Sequence, residues 1–415
     1  MKFSDYHISE DLKKNLAKLG FVRPTDIQFK AIPNILNGED VLAVAQTGTG
    51  KTAAFAIPVI DKIHRFKSSK RSYGVKCIVL VPTRELAQQI GKVFERLAAH
   101  TRVKTFALFG GVEQDAQVAK LQDGIDVLIA TPGRMFDLIN QGAMRLQGVS
   151  TLILDEADHM LDLGFIEDIR YIKKMLTQKH QTLFFSATFN DEIRKLAYSQ
   201  VKSAAIRIQI DPKDKVSKNI NHFVMFVEMD DKRHFLENFI KEHEGSKIIV
   251  FARTQVRVER VEKAMERVGI ATLSIHGGKD QKERNQAMQL FRSGMVPVLI
   301  ATDVSARGID IPDIDFVINY DLPEKVENYV HRVGRTGRGE RRGEAISYCA
   351  TEERDLLDEI QHFLQKPIAE IRVSKGEYAA IAEAPSYEQL SLKALVDEHD
   401  AWLSGQNKKK KGRKK

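Results

Sequence analysis

Short apolar runs set between amphipathic stretches constrain this chain more than any other feature. Cys77 to Val81, Val127 to Ala130, Leu152 to Leu154 and Leu183 to Phe185 are too short for buried helices and too continuous for strands with one wet face. They read as parallel strands covered on both sides. Leu86, Ile90, Val93 and Leu97 fall between the first two at helical spacing, which gives the one-faced helix that a right-handed crossover needs. A polar stretch, Asp211 to Asn219, interrupts the pattern and reads as a linker. The pattern then resumes with strands expected at Ile248 to Phe251, Thr272 to Ile275, Val298 to Ala301 and Phe316 to Asn319, separated by helical stretches such as Val258 to Val268. The string VLIAT occurs at Val127 to Thr131 and again at Val298 to Thr302, an echo that points to duplication but is short enough to arise by chance. Two similar α/β domains are expected.

A length of 415 residues suits two cores better than one, and the 43% hydrophobic and 29% charged content is that of a globular chain. The net charge of +8 is less informative than it looks, because Lys408 to Lys415 hold seven basic side chains and leave the body near neutral. That tail offers salt-sensitive attraction to phosphates, or else is a solubilising terminus. Cys77 and Cys349 lie far apart in apolar contexts and read as buried thiols of a reducing compartment. No apolar run nears the roughly 20 residues of a membrane span, and the N-terminus lacks a signal-peptide core, so a cytoplasmic protein with no membrane partner is expected. Arg65, Lys67, Lys70, Arg71 and Lys76 read as a solvated basic loop.

The strongest local signal is Ala45-Gln46-Thr47-Gly48-Thr49-Gly50-Lys51-Thr52, between the apolar run Val41 to Val44 and a helical stretch. It fits a phosphate-binding P-loop, with Ala45 in place of the first glycine. Glycines let backbone N–H groups converge on phosphates, Lys51 meets the β and γ phosphates of ATP, and Thr52 is a ligand for Mg²⁺. Pro58 sits within the following helix and is expected to kink it. A second element, Asp155-Glu156-Ala157-Asp158, ends an apolar run with three carboxylates. Such a cluster calls for a cation, so Asp155 is a candidate for holding Mg²⁺ and Glu156 for activating water.

Asp155-Glu156-Ala157-Asp158 resembles the signature of the DEAD-box RNA helicases of superfamily 2, a resemblance that spans about residues 3 to 370. It implies two tandem RecA-like domains, each a mostly parallel sheet flanked by helices, with a basic disordered C-terminal tail. The spans expected are a Q-motif region at 1–29, an ATP-binding domain at 30–208, a linker at 209–219, a second domain at 220–372 and an extension at 373–415. Phe21 and Gln28 lie in a stretch similar to the Q motif that reads adenine, and Phe3 stands where the family places a stacking aromatic. Arg84, Gly111, Thr131 and Arg134 match motifs that grip the RNA backbone in the first domain, as do Arg284 and Thr302 in the second. Ser186 and Thr188 match the element that couples hydrolysis to strand separation, with hydroxyls expected to bond Asp158, and His331 is joined to them. Asp310 is implied near the ribose, and Arg335 and Arg338 as arginine fingers. Gly110 to Met144 resembles the bacterial RhlE-like subgroup.

The expected function is ATP-dependent, sequence-independent local unwinding or remodelling of RNA, with ATP and Mg²⁺ as cofactors and the site completed in a cleft between the domains. The alternative is an ATP-dependent RNA clamp or chaperone in which unwinding is secondary. No protein partner can be read, ribosome-assembly and RNA-decay factors included, and a monomer is expected. A Ser386 to Gln389 capping box predicts a helix ending near Trp402.

Overall fold

The computed structural model describes residues 1–46, 48–67, 69, 74–210, 216–306, 313–337 and 342–383. The chain separates into two compact units, the first reaching Lys215 and the second starting at Val216. In the first, β1 (Val41–Val44), β2 (Cys77–Leu80), β3 (Thr105–Leu108), β4 (Val127–Ala130), β5 (Thr151–Leu154), β6 (Gln181–Ser186) and β7 (Ile206–Gln209) form one sheet in the order β3-β4-β2-β5-β6-β1-β7. Every pairing is parallel. The apolar runs are continuous because each strand feeds two cores. Val41, Ala43, Cys77, Val79, Val127 and Ile129 pack with the helices Lys51–Phe66 and Arg84–Ala98. Leu42, Ile78, Leu80, Leu128, Leu152 and Leu154 point the other way, towards Met135, Leu138, Ile169, Ile172, Ile193 and Leu196.

The second unit repeats the plan with β8 (Ile220–Phe226), β9 (Ile248–Phe251), β10 (Leu273–Ile275), β11 (Val298–Ala301), β12 (Phe316–Asn319), β13 (Gly343–Cys349) and β14 (Ala369–Glu370). Their order is β10-β11-β9-β12-β13-β8-β14, again wholly parallel. Taken position by position the two orders match, and the two VLIAT strings form β4 and β11, second in their sheets. The echo is thus structural. Both units are RecA-like α/β domains.

The helix Lys51–Phe66 continues through Pro58, which is buried in it. Two local features differ from expectation. Lys67 is not solvated: its Nζ donates to the buried carboxylate of Asp126 at 2.6 Å, while Lys70 and Arg71 lie outside the described residues. The chain beyond residue 372 is anchored by a helix, Lys375–Ala382, opened by a Ser374 and Glu377 capping box. Tyr378 from this helix donates to Asp231 Oδ2 (2.7 Å), accepts from the Glu228 N–H (3.0 Å) and packs its ring, tilted, 4.9 Å from that of Phe235. The helix expected from Ser386 and the lysine tail fall outside the described residues. Among the described residues, no helix is long and apolar enough to cross a membrane.

Candidate functional site

Sheet order sorts the first unit's candidate residues into two groups at the strands' carboxyl ends, where open α/β sheets bind ligands. The adjacent strands β5, β6 and β1 carry the phosphate-loop group. The loop after β1 is tied to β6 by the Ala45 N–H, which donates to the Ser186 carbonyl (3.0 Å). Gly48 and Gly50 hold left-handed φ values of 83° and 93°, and a Cβ on Gly50 would strike the Gln28 amide. Gln28 is buried; its Oε1 accepts the Thr25 N–H (3.0 Å), capping its own helix, and its Nε2 donates to the Gly50 carbonyl (3.1 Å). Thr25 Oγ1 donates to the Thr49 carbonyl (2.8 Å), so the start of the helix Asp26–Leu36 is stitched to the loop twice. Thr49 Oγ1 closes the loop on the Gln46 carbonyl (2.8 Å). Lys51 and Thr52 open the next helix, and Lys51 Nζ, largely buried, donates to the Ala45 carbonyl at 2.9 Å.

Asp155 leaves the end of β5 almost fully buried, with Oδ1 accepting the Glu156 N–H (3.0 Å). It has no ion-pair partner among the described residues. Burial pushes its carboxyl up to about 7, against the pull of nearby Lys51 and with a further push from Glu156. Glu156 takes φ 52° and ψ 50°, a left-handed conformation unusual for a side chain with a Cβ. Asp158 accepts from both the N–H and the hydroxyl of Thr188, each at 3.1 Å. Ser186 does not join them. It is still within β6, paired with Val44, and its buried hydroxyl has no partner among the described residues, whereas Thr188, past the strand's end, turns towards Asp158. Phe3 also departs from expectation. Its ring is buried against Tyr6 and, edge-on, Phe21, so Phe21 is the more accessible aromatic. Thr47 lies outside the described residues.

The other group stands on β2, β3 and β4. Thr83, after β2, caps the helix Arg84–Ala98, and the Arg84 guanidinium lies over Gly110, which follows β3. Gly111 turns at φ 77°. Arg134 donates to Gln117 Oε1 (3.2 Å) and to the Val112 carbonyl (3.3 Å). Thr131 precedes Pro132 at the start of the helix Pro132–Asn140, after β4. Arg84, Gly111, Thr131 and Arg134 are thereby brought to one end of three neighbouring strands.

The second unit has Thr302 after β11, its hydroxyl held by Ser305 Oγ at 2.8 Å, and Arg284 on the helix Gln281–Ser293. Arg335 is mostly buried with Nε donating to the His331 carbonyl (3.0 Å). Asp310 and Arg338 lie outside the described residues.

Residues 25–196 match the DEAD/DEAH box helicase family model, and residues 231–340 match the helicase conserved C-terminal domain. The chain is 36% identical over 398 residues to the ATP-dependent RNA helicase CshA of Listeria monocytogenes, covering 96% of this chain and 75% of that protein. This chain belongs to the DEAD-box RNA helicases. The DEAD-box helicase CshA of Bacillus cereus is 39% identical over 359 residues, 86% of this chain and 67% of its own length. Among solved structures, S. cerevisiae Dbp5 bound to RNA and ADP BeF3 superposes with a TM-score of 0.81 at 29% identity, over 92% of this chain and 98% of that one. DEAD-box helicase Mss116 bound to ssRNA and UDP-BeF gives 0.80 at 26% identity, over 97% and 86%. The chain is accordingly an ATP-hydrolysing enzyme that couples hydrolysis to RNA unwinding or remodelling.

Within this DEAD-box chain, sequence reasoning passed over Arg332. It is almost completely buried and makes a fork to Asp303, Nε to Oδ1 at 2.5 Å and Nη2 to Oδ2 at 2.8 Å, while Nη1 donates to the Asp321 carbonyl (2.7 Å). The available signal was helical spacing: Tyr329, Arg332 and Val333 form the buried stripe of the helix Val326–Val333. Gly277 and Gly278, after β10, are the second unit's counterpart of Gly110 and Gly111 after β3, and were missed for want of the strand equivalence.

Proposed function

We propose that this helicase hydrolyses ATP at the carboxyl edge of β1, β5 and β6, with Lys51 on the β and γ phosphates and Glu156 orienting and deprotonating the attacking water. The observation that carries this reading is the meeting of the Lys51 loop with a buried Asp155 carboxylate that forms no ion pair among the described residues. The hydroxyl of Thr52 and the carboxylate of Asp155 are hard oxygen donors and fit Mg²⁺, which takes few protein ligands and leans on substrate phosphates. When bound, the ion would neutralise phosphate charge. Gln46 to Gly50 would cradle the phosphates, Gln28 and Phe21 would face adenine, and Asp310 the ribose. Water oxygen bonds to the γ phosphorus, Glu156 takes the proton, and the bond to the β-phosphate oxygen breaks to give ADP and phosphate.

Arg335 and Arg338 are proposed to meet charge developing on the transferred group, which requires Arg335 to leave the His331 carbonyl. Arg84, Gly111, Thr131, Arg134, Arg284 and Thr302 are proposed to hold RNA phosphates and sugars, with Thr188, Asp158 and His331 linking hydrolysis to strand release. The RNA and nucleotide named for the Dbp5 and Mss116 structures support both ligands. The domain spans assigned are 30–208 and 220–372, with 1–29 as Q-motif region, 209–219 as linker and 373–415 as extension; the packing of Tyr378 favours carrying the second domain to Glu383. A bacterial RhlE-like placement rests on Gly110 to Met144. The test is ATP hydrolysis with and without single-stranded RNA, and strand release from a short duplex, for wild type and Arg335→Ala. Nucleotide binding should survive in the variant while turnover falls by about 10³-fold or more; full turnover would refute the arginine's role.

A further inference from the structure

His159 is left idle by the mechanism above, and its surroundings make that costly. The ring is 3% exposed, and neither nitrogen has a hydrogen-bond partner among the described residues. Ala157 and Met160, on the same short helix Ala157–Asp162, fill the core with apolar atoms. A side chain wanted only for volume there would be Leu, Met or Phe, since a buried imidazole forfeits its hydrogen bonds to water and gains none here.

The geometry supplies a use. His159 Nδ1 lies 3.6 Å from Glu156 Oε2, just beyond hydrogen-bond length. Glu156 is the residue preceding the helix, with a left-handed backbone and its N–H donating to Asp155 Oδ1, and its carboxylate lies beside the residue three positions on. A small side-chain rotation closes that gap. We propose that His159 is a positioning residue for ATP hydrolysis: with its proton on Nδ1, the neutral ring donates to Glu156 Oε2 and fixes the carboxylate, leaving Oε1 to accept the proton of the attacking water. The His159 proton stays on Nδ1 throughout, and no bond to it is made or broken in the step. The ring thus restrains one rotamer of a flexible side chain, where small misplacements of a reacting group cost rate rather than binding.

This inference rests on the reading of Glu156 as the group that activates water, and the experiment separates the two. RNA-saturated ATPase rates would be measured for wild type, His159→Leu, His159→Asn, His159→Gln, Glu156→Gln and the Glu156→Gln/His159→Leu double variant, with thermal unfolding as a check on folding. Asn carries its amide nitrogen near the place of Nδ1, whereas Gln carries it further out. The expected result is that His159→Leu lowers kcat by about tenfold with the KM values for ATP and RNA within about twofold, and that His159→Asn recovers most of the loss and His159→Gln does not. In the Glu156→Gln background the added His159→Leu change should have no further effect. Wild-type turnover in His159→Leu, or equal losses in Leu and Asn, would overturn the role of His159 while leaving that of Glu156 intact. Substantial turnover in Glu156→Gln would overturn both. Should His159→Leu fail to fold, the Asn and Gln pair decides: equal rates for the two contradict the proposal.

Discussion

Lys51 and Lys232 occupy matching places in the two units and meet opposite fates. Each opens the helix that follows a matched strand, Lys51 after β1 and Lys232 after β8. Each faces the carboxylate that follows another matched strand, Asp155 after β5 and Asp321 after β12. In the second unit Lys232 is fully buried, bonded to Glu353 and 3.8 Å from Asp321. Arg253 reaches the same Glu353 at 2.9 Å, and Arg257 reaches Asp321 at 3.2 Å. Internal charges have filled the place. In the first unit Lys51 donates to a loop carbonyl, and among the described residues Asp155 feels the pull of Lys51 but forms no ion pair. The comparison teaches that a RecA-like edge keeps a nucleotide site by withholding countercharges from it, and closes that site when the chain supplies them.

The largest expected effects come from exchanging those fates. Lys51→Ala should lower ATP turnover by about 100-fold or more, as removal of a charge from the transferred phosphates does, while leaving the thermal midpoint nearly unchanged. Lys232→Met should do the reverse, costing about 2–3 kcal/mol of stability by removing the buried charge-assisted bond to Glu353, with Arg253 and Arg257 still partnering the two carboxylates, as read by denaturant unfolding. If Lys232→Met proved harmless to stability, the second site would not be closed by charge.

A smaller effect sharpens the first unit's side. The Asp155 carboxyl is raised in the folded state, so its proton is held more tightly there than in the unfolded chain. Its contribution to stability is therefore fully present below the ordinary carboxylate range and is lost as pH rises towards about 7. Without nucleotide or Mg²⁺, Asp155→Asn should be more stable than wild type by about 1–3 kcal/mol at pH 8, with the difference shrinking towards pH 4. A difference that grows on acidification would reverse the sign argued here. The smallest effect concerns the tail: truncation after Glu383 should leave the thermal midpoint unchanged, because Tyr378 is kept, and should flatten the dependence of RNA affinity on salt. An unchanged slope would show that the tail does not hold RNA.

The strands legible in the sequence were those covered on both faces, such as Cys77–Leu80 and Val298–Ala301, because double burial leaves an uninterrupted apolar run. Thr105–Leu108, Ile206–Gln209 and Ile220–Phe226 escaped notice because they are partly exposed and mix polar with apolar residues. The phosphate loop and the Asp155 cluster were legible because their chemistry is contiguous in the chain. The filled site of the second unit was not, since Lys232 and Glu353 are 121 residues apart and only the sheet brings them together. Likewise the buried Arg332 fork joins residues 29 apart, and the local mark of that arginine is no more than its helical spacing with Tyr329 and Val333.

The most direct test of one open site and one filled site is the stoichiometry of nucleotide binding, measured by calorimetric titration of a non-hydrolysable ATP analogue with Mg²⁺. The account predicts a single site per chain, greatly weakened by Lys51→Ala and retained by any folded Lys232 variant. A second site, or loss of binding in a folded Lys232 variant with Lys51 intact, would contradict it.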